Sequence, residues 1–409
     1  MKSATDHRSL LGQIETLPPL PIIVERILAV TDSPNSSASD VARVLCEDQT
    51  VAAKVLRVAN SPLYGSARRV TQISRAVVML GSVAVRNLVV GVCAHDALAA
   101  CGAGNAEHER LWGHSIATAA ACDVLARRIR YEPPEEAFVA GLLHDIGQLA
   151  MLVLQPQPFR RMLQNLPPGA CILEAEREVF GVDHALVGVR VLENWRLPEA
   201  FGEAARWHHS DTLPRGDRHT PLFATVMLAD ALSTVLGIEL GALGCVSNRI
   251  GLTTDILKLP HRELGGILRQ IDRVLTGTAE VFSTSLGRYA ATTSADRGRV
   301  LWVSAHAPAP TEIRWYLLER RGYEPHYVNT EDLARQFKAG DLIVLDVAGH
   351  GQDALAMARA LTGTGARGVV ILDPDTDGHD PQHLKDLGAV FQIPRTFTAR
   401  DLHWCEAHL

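Results

Sequence analysis

The chain lacks a cysteine pattern. Its seven cysteines (Cys46, Cys93, Cys101, Cys122, Cys171, Cys245, Cys405) are dispersed, odd in number and never spaced as CxxC. That argues against a zinc knuckle and against a disulfide framework. Lysine is also scarce: five of the 40 basic residues are Lys, no basic cluster exceeds Arg-Arg, and the net charge is −6. Such a surface has no general attraction for nucleic acid or anionic lipid, so neither is expected as a partner. An apolar signal core is missing from "MKSATDHRSLLGQIETLPPLP", and the apolar stretch 76–104 is broken by Arg86, Asn87, His95 and Asp96. No membrane insertion is expected, and the location these absences suggest is cytoplasmic.

What is present is folded protein in more than one domain. Hydrophobic residues make up 47% and charged residues 21%, and 409 residues exceed one ordinary core. From about 10 to 285 the pattern is helical. In "SASDVARVLCEDQTVAAKVLRVANS" the residues Val41, Val44, Leu45, Val51, Val55 and Val58 recur near the helical period, with Ser37 and Asp40 at capping positions and Asn60-Ser61-Pro62 as a stop. Further helices are predicted over 109–130, 135–155, 172–180, 183–195, 198–209 and 221–237, with breaks at Pro133-Pro134, Pro167-Pro168-Gly169 and "DTLPRGDRHTP". "LPPLP" marks extended chain, and Tyr64 in "NSPLYG" reads as a core plug.

A small, polar stretch at 285–299 suits a linker. Beyond it the pattern alternates. "VLWVSA", "PHYVN", "DLIVLDV", "RGVVILD" and "AVFQI" read as strands, each followed by a helical segment, the last two being "PQHLKDLG" and "FTARDLHWCEAH". Five such units predict a doubly wound α/β domain with a parallel sheet. The expected organisation is a tail over 1–13, a helical lobe over 14–108, a second helical lobe with accessory helices over 109–285, a linker over 286–298 and the α/β domain over 299–409.

Chemistry concentrates in the second lobe. "GLLHDIGQLAM" sets His144 beside Asp145 in an apolar run, and consecutive helical positions point about 100° apart, close enough to meet one ion. Other helices carry His114, His184, the pair His208-His209 and Asp230. Imidazoles and carboxylates together suit a divalent Fe, Mn, Zn or Mg ion. The plain alternative is a set of helix-end histidines bonded to backbone.

The order H…HD…H…HH…D resembles the HD superfamily of metal-dependent phosphohydrolases. That resemblance implies His114, His144, Asp145 and Asp230 as ligands of a first metal. It likens His184, His208 and His209 to the additional histidines of multi-metal members that cleave cyclic dinucleotides. Those enzymes read HDIGK and carry a Gly-Tyr-Pro loop after the double histidine; here Gln148 replaces the Lys, and "HHSDTLPRGDRHTP" holds no such loop. "LPPLPIIVERILAVTD", "EDQTVAAKVLRVANSPLYG", "ISRAVVMLGSVAVRNLVVG" and "AFVAGLLHDIGQLAM…EREVFGVDHALVGVRVLENWRLPEAF" resemble the HDOD family, HD-related output domains, over roughly 14–210. This implies a two-lobed helical regulatory module of bacterial signalling, a family without a generally established activity.

The segment from about 299 resembles a response-regulator receiver domain, a flavodoxin-like fold, with Asp346 where receivers carry the phosphoacceptor. The acidic pair after strand one is replaced by Val303-Ser304-Ala305, and the Lys before Pro by Ile393 before Pro394. Without Mg²⁺ ligands and lysine the resemblance implies a pseudo-receiver suited to protein contact. The expected function is therefore a cytoplasmic signal-transduction protein acting through protein partners, with a metal-binding HD-type site. The competing expectation is a metal-dependent phosphohydrolase acting on a nucleotide or phosphoester. A cationic clamp from Arg127, Arg128, Arg130, Arg160 or Arg161 would favour the enzyme.

Overall fold

The computed structural model describes residues 6–60, 69–102, 106–166, 171–238, 246–282, 298–304, 312–329, 333–346, 351–363, 365–373, 382–383, 389–394 and 405. Tyr64 and the last predicted helix, apart from Cys405, lie outside them.

The first helices are α1 (Asp6–Gln13), α2 (Ile22–Asp32), α3 (Ala38–Leu45), α4 (Gln49–Ala59), α5 (Ile73–Leu80) and α6 (Ser82–Gly102). Ser37 caps α3 in a box: its backbone N–H donates to Asp40 Oδ2 at 2.9 Å, and the Asp40 N–H donates back to Ser37 Oγ at 3.3 Å. The apolar stripe of α3 buries Val41 and Leu45 completely. Asn60 closes the end of α4. Its side-chain amide donates to the carbonyls of Leu56 (2.7 Å) and Val70 (2.8 Å), and its Oδ1 accepts from the Val70 N–H at 2.7 Å. The Leu17–Pro21 stretch is pinned by Trp195, whose indole N–H donates to the Pro18 carbonyl at 3.0 Å.

The second group is α7 (Ala106–Ile129), α8 (Pro134–Leu143), α9 (Ile146–Leu154), α10 (Pro156–Asn165), α11 (Ile172–Phe180), α12 (His184–Asn194), α13 (Glu199–Trp207), α14 (Thr220–Val235), α15 (Val246–Ile256) and α16 (Leu264–Phe282). Here one expectation is corrected. The single helix predicted over 135–155 is two, because Asp145 leaves the helix at φ −101°, ψ 17°. Periodicity could not reveal that break, since both flanks are apolar. By length and composition Pro134–Leu154 could cross a membrane, but 89% of its most apolar stretch is buried within the fold.

The C-terminal part is built from β1 (Gly298–Ser304), α17 (Glu312–Arg320), β2 (Tyr323–Asn329), α18 (Leu333–Gln336), β3 (Leu342–Asp346), α19 (Gly351–Gly363), β4 (Gly368–Asp373), β5 (Gln382–His383) and β6 (Val390–Pro394). The strand order is β2-β1-β3-β4-β6-β5, parallel except for β5. Alternate residues bury against opposite faces, with Leu301, Val303, Ile343 and Leu345 on one side and Val300, Trp302, Leu342 and Val344 on the other. Part of the helix predicted over "PQHLKDLG" is corrected: Gln382 and His383 pair antiparallel with Gln392 and Phe391, because the open edge of β6 offers backbone bonds there. This region joins the helices through Tyr316, whose hydroxyl donates to Asp272 Oδ2 at 2.6 Å.

Candidate metal centre

The break between α8 and α9 turns His144 and Asp145 into one pocket. Four more helices complete it: α7 brings His114, α12 His184, the end of α13 His208 and His209, and α14 Asp230. The close approach of α9 to α12 requires Gly147, where a Cβ would stand 2.0 Å from the His184 carbonyl oxygen. All seven residues singled out from the sequence converge. His144, His184 and His208 are wholly buried, while His114, Asp145 and Asp230 are 4% exposed or less.

The ring orientations carry the chemistry. Each of four histidines sets Nδ1 against an acceptor: His114 to the Ile238 carbonyl (2.6 Å), His144 to Gly141 (2.7 Å), His184 to Glu176 Oε2 (2.7 Å) and His208 to Ala205 (2.6 Å). A neutral ring so placed carries its proton on Nδ1 and turns the Nε2 lone pair inward. Those Nε2 atoms crowd together, His114 to His144 at 3.3 Å and His184 to His208 at 3.3 Å. Carboxylates face the same space. His114 Nε2 lies 3.2 Å from Asp230 Oδ1 and 3.6 Å from Asp145 Oδ2, and His144 Nε2 lies 3.5 Å from Asp145 Oδ2. Asp145 Oδ1 stands 3.3 Å from Nε2 of both His184 and His208, yet makes no well-directed hydrogen bond and is buried. Electron-rich atoms packed so closely need a positive charge between them. The buried group can hold a metal ion through His114, His144 and Asp145, while His184, His208 and His209 stand together on the other side of Asp145.

Protonation follows the same logic. Burial disfavours a charged His114, but the hydrogen bond to Asp230 and the charges of Asp230 and Asp145 outweigh it and raise its pKa to about 9. Burial opposes charge on His184 as well, and Glu176 with Asp145 overcomes it. His144, buried beside other histidines, is pushed down to about 4. The two aspartates stay ionised despite burial because histidines, and for Asp230 also Arg249, hold their carboxyls well below the usual range. The pocket gathers protons where a cation would sit.

Two participants escaped the sequence reading. Glu176 on α11 is completely buried and accepts from both the His184 backbone N–H (2.8 Å) and its Nδ1. Arg249 on α15 is buried, with Nη1 2.7 Å from Asp230 Oδ2 and 3.0 Å from His209 Nδ1. Four of the five arginines considered as a clamp are engaged elsewhere: Arg127 with Asp123 and Glu135, Arg128 with Glu263, Arg160 with Glu107, and Arg161 with the Gln157 carbonyl. Gln148 stands buried on the first turn of α9. Asp346 belongs to the sheet, buried at the end of β3.

Known proteins resemble the helical part of this chain. The chain is 25% identical over 229 residues to an uncharacterised protein of Treponema pallidum (strain Nichols), matching 54% of this chain and 43% of that one. It therefore spans less than half the length of that curated relative. An HDOD domain protein of unknown function from Geobacter sulfurreducens superposes with a TM-score of 0.52 at 25% identity, covering 66% of this chain and 98% of that one. A candidate signal transduction protein from Marinobacter aquaeolei VT8 gives 0.54 at 25% identity, covering 69% and 64%. The sequence pattern of the HDOD domain matches residues 17–211, the segment that contains α2 to α13 and every site histidine. Residues 17–211 of this chain are an HDOD domain.

Proposed function

We propose that this is a cytoplasmic regulatory protein of bacterial signal transduction, acting through protein partners and carrying a divalent metal in its HDOD domain. The observation that carries the metal is the convergence of four Nε2 atoms with the carboxylates of Asp145 and Asp230 in a buried pocket. His114, His144, Asp145 and Asp230 would hold the ion, with His184 and His208 facing it across Asp145. A bound ion would supply Lewis acidity.

Regulation is favoured over turnover because the substrate side is poorly provided. The cation that reaches the pocket among the described residues, Arg249, is committed to Asp230 and His209. Gln148 offers only dipoles. A lost charge clamp on a phosphodiester removes about 10²–10³ in rate. The similarity to the Marinobacter aquaeolei protein supports the same reading. In the C-terminal part, the order of the five parallel strands and the position of Asp346 support a pseudo-receiver of flavodoxin-like type that provides a contact surface.

A second reading, a metal-dependent phosphohydrolase acting on a nucleotide or phosphoester, is favoured by the complete H…HD…D set. The two separate in one experiment. The metal-reconstituted protein, His144→Ala and Asp145→Ala are assayed for metal content and for hydrolysis of cyclic dinucleotides and a chromogenic phosphodiester. Metal lost in both variants with no turnover to lose is the expected result; robust turnover abolished by both would establish the enzyme.

A further inference from the structure

His209 differs from the other four histidines of the pocket. Their Nδ1 atoms face acceptors, whereas His209 Nδ1 lies 3.0 Å from Nη1 of Arg249, a group that only donates. A neutral imidazole has one ring lone pair. Arg249 uses it, so the proton of His209 resides on Nε2 and neither nitrogen remains for a metal. The same Nη1 is 2.7 Å from Asp230 Oδ2 and 3.5 Å from the His208 carbonyl oxygen. One buried guanidinium thus holds an imidazole and a carboxylate oxygen on the side of the pocket formed by His184, His208 and His209.

We propose that Arg249 is a built-in cation that withholds His209 and limits the centre to one divalent ion. His209 packs against the rings of His208 and His184, with centroids 4.0 and 5.0 Å away, so it stands within reach of the pocket and is excluded by its hydrogen bond rather than by distance. The inference rests on the metal reading above and adds which residue sets the number of ions.

The test is Mn²⁺ titration of the chelated full-length protein, read by elemental analysis and electron paramagnetic resonance. Wild type should load one ion per chain, and His209→Ala should keep it with its affinity unchanged within about threefold, far from the loss of roughly tenfold or more that removing a direct ligand or its support brings. Arg249→Gln should load a second ion with a spin-coupled spectrum, and Arg249→Gln combined with His209→Ala should lose that second ion again. Wild type loading two ions, His209→Ala weakening the first, or a folded Arg249→Gln still loading one would each overturn the proposal. His209→Ala decides the matter even if Arg249→Gln does not fold. A wild type that binds no Mn²⁺, Fe²⁺ or Zn²⁺ would instead overturn the metal reading, and this inference with it.

Discussion

His184 Nδ1 lies 2.7 Å from Glu176 Oε2, and both side chains are completely shielded from solvent. A buried carboxylate here fixes the tautomer of a ring whose other nitrogen faces Asp145, and it also receives the backbone N–H at the start of α12. Glu176 is a positioning residue, acting through His184. Glu176→Ala should lower metal affinity by about 10–100-fold. It should also cost about 1–3 kcal/mol, since a buried N–H loses its acceptor. Glu176→Gln, which keeps an acceptor oxygen, should recover part of both. Metal titration with urea unfolding checks this, and unchanged affinity in Glu176→Ala would remove Glu176 from the centre.

The metal-free protein should show a stability maximum near neutral pH. The His114 pKa rises from 6.5 to about 9 on folding, so the native state binds more protons between those values and stability falls as pH rises through about 9. His144 falls from 6.5 to about 4, so the unfolded state binds more protons in that window and stability falls as pH drops toward 4. His114 alone accounts for roughly 3 kcal/mol of the alkaline loss. An ion held by His114 would displace the proton on its Nε2, so metal should remove the His114 share of the alkaline arm. Unfolding between pH 5 and 9.5 with and without chelator measures both arms; a flat profile in chelator would contradict the charge assignment.

Much of this site was legible in sequence because its first contacts sit in a motif. His144-Asp145 and the histidines of successive helices can be counted along the chain, and a buried ion needs donors of those types. The supporting groups were not legible. Arg249 reaches Asp230 and His209 from a helix with no motif of its own, across 19 and 40 residues, and only the packing of α14 with α15 brings them together. The turn at Asp145 was hidden for a related reason: Leu142, Leu143, Ile146 and Leu149 are all buried, so hydrophobic pattern continues through a break in the backbone. The apolar runs of β1, β3 and β4 could be read directly because both faces of the sheet are covered, whereas the two-residue edge strand depends on its neighbour.

Two glycines that meet across α9 and α12 should respond oppositely to alanine. A Cβ on Gly147 would lie 2.0 Å from the His184 carbonyl oxygen and 2.7 Å from the Gly188 nitrogen, both rigid backbone. Gly147→Ala should therefore cost about 3 kcal/mol or more and weaken metal binding by separating Asp145 from His184. On Gly188 the nearest contacts are 3.5 and 3.6 Å, ordinary packing distances. Gly188→Ala should be neutral or stabilise the helix by up to about 1 kcal/mol. Thermal unfolding with metal titration distinguishes them; equal effects would mean that the two helices do not approach through Gly147.

Asp346 should resist phosphorylation by acetyl phosphate with Mg²⁺. It is buried at the end of β3, and the sequence carries Val303-Ser304-Ala305 where an acidic pair would be needed to draw Mg²⁺ to the phosphoacceptor. An incoming phosphoryl group and Asp346 are both negative, so without a bridging cation their approach is repulsive. The sequence reads Ile393 before Pro394 where a receiver has the lysine whose ammonium stabilises an acyl phosphate. Intact-mass spectrometry of wild type and Asp346→Asn after incubation with acetyl phosphate should show the same unmodified mass. A stoichiometric increment present in wild type and absent from Asp346→Asn would make the sheet a phosphorylation-driven input, and the contact surface proposed for it would then be switched.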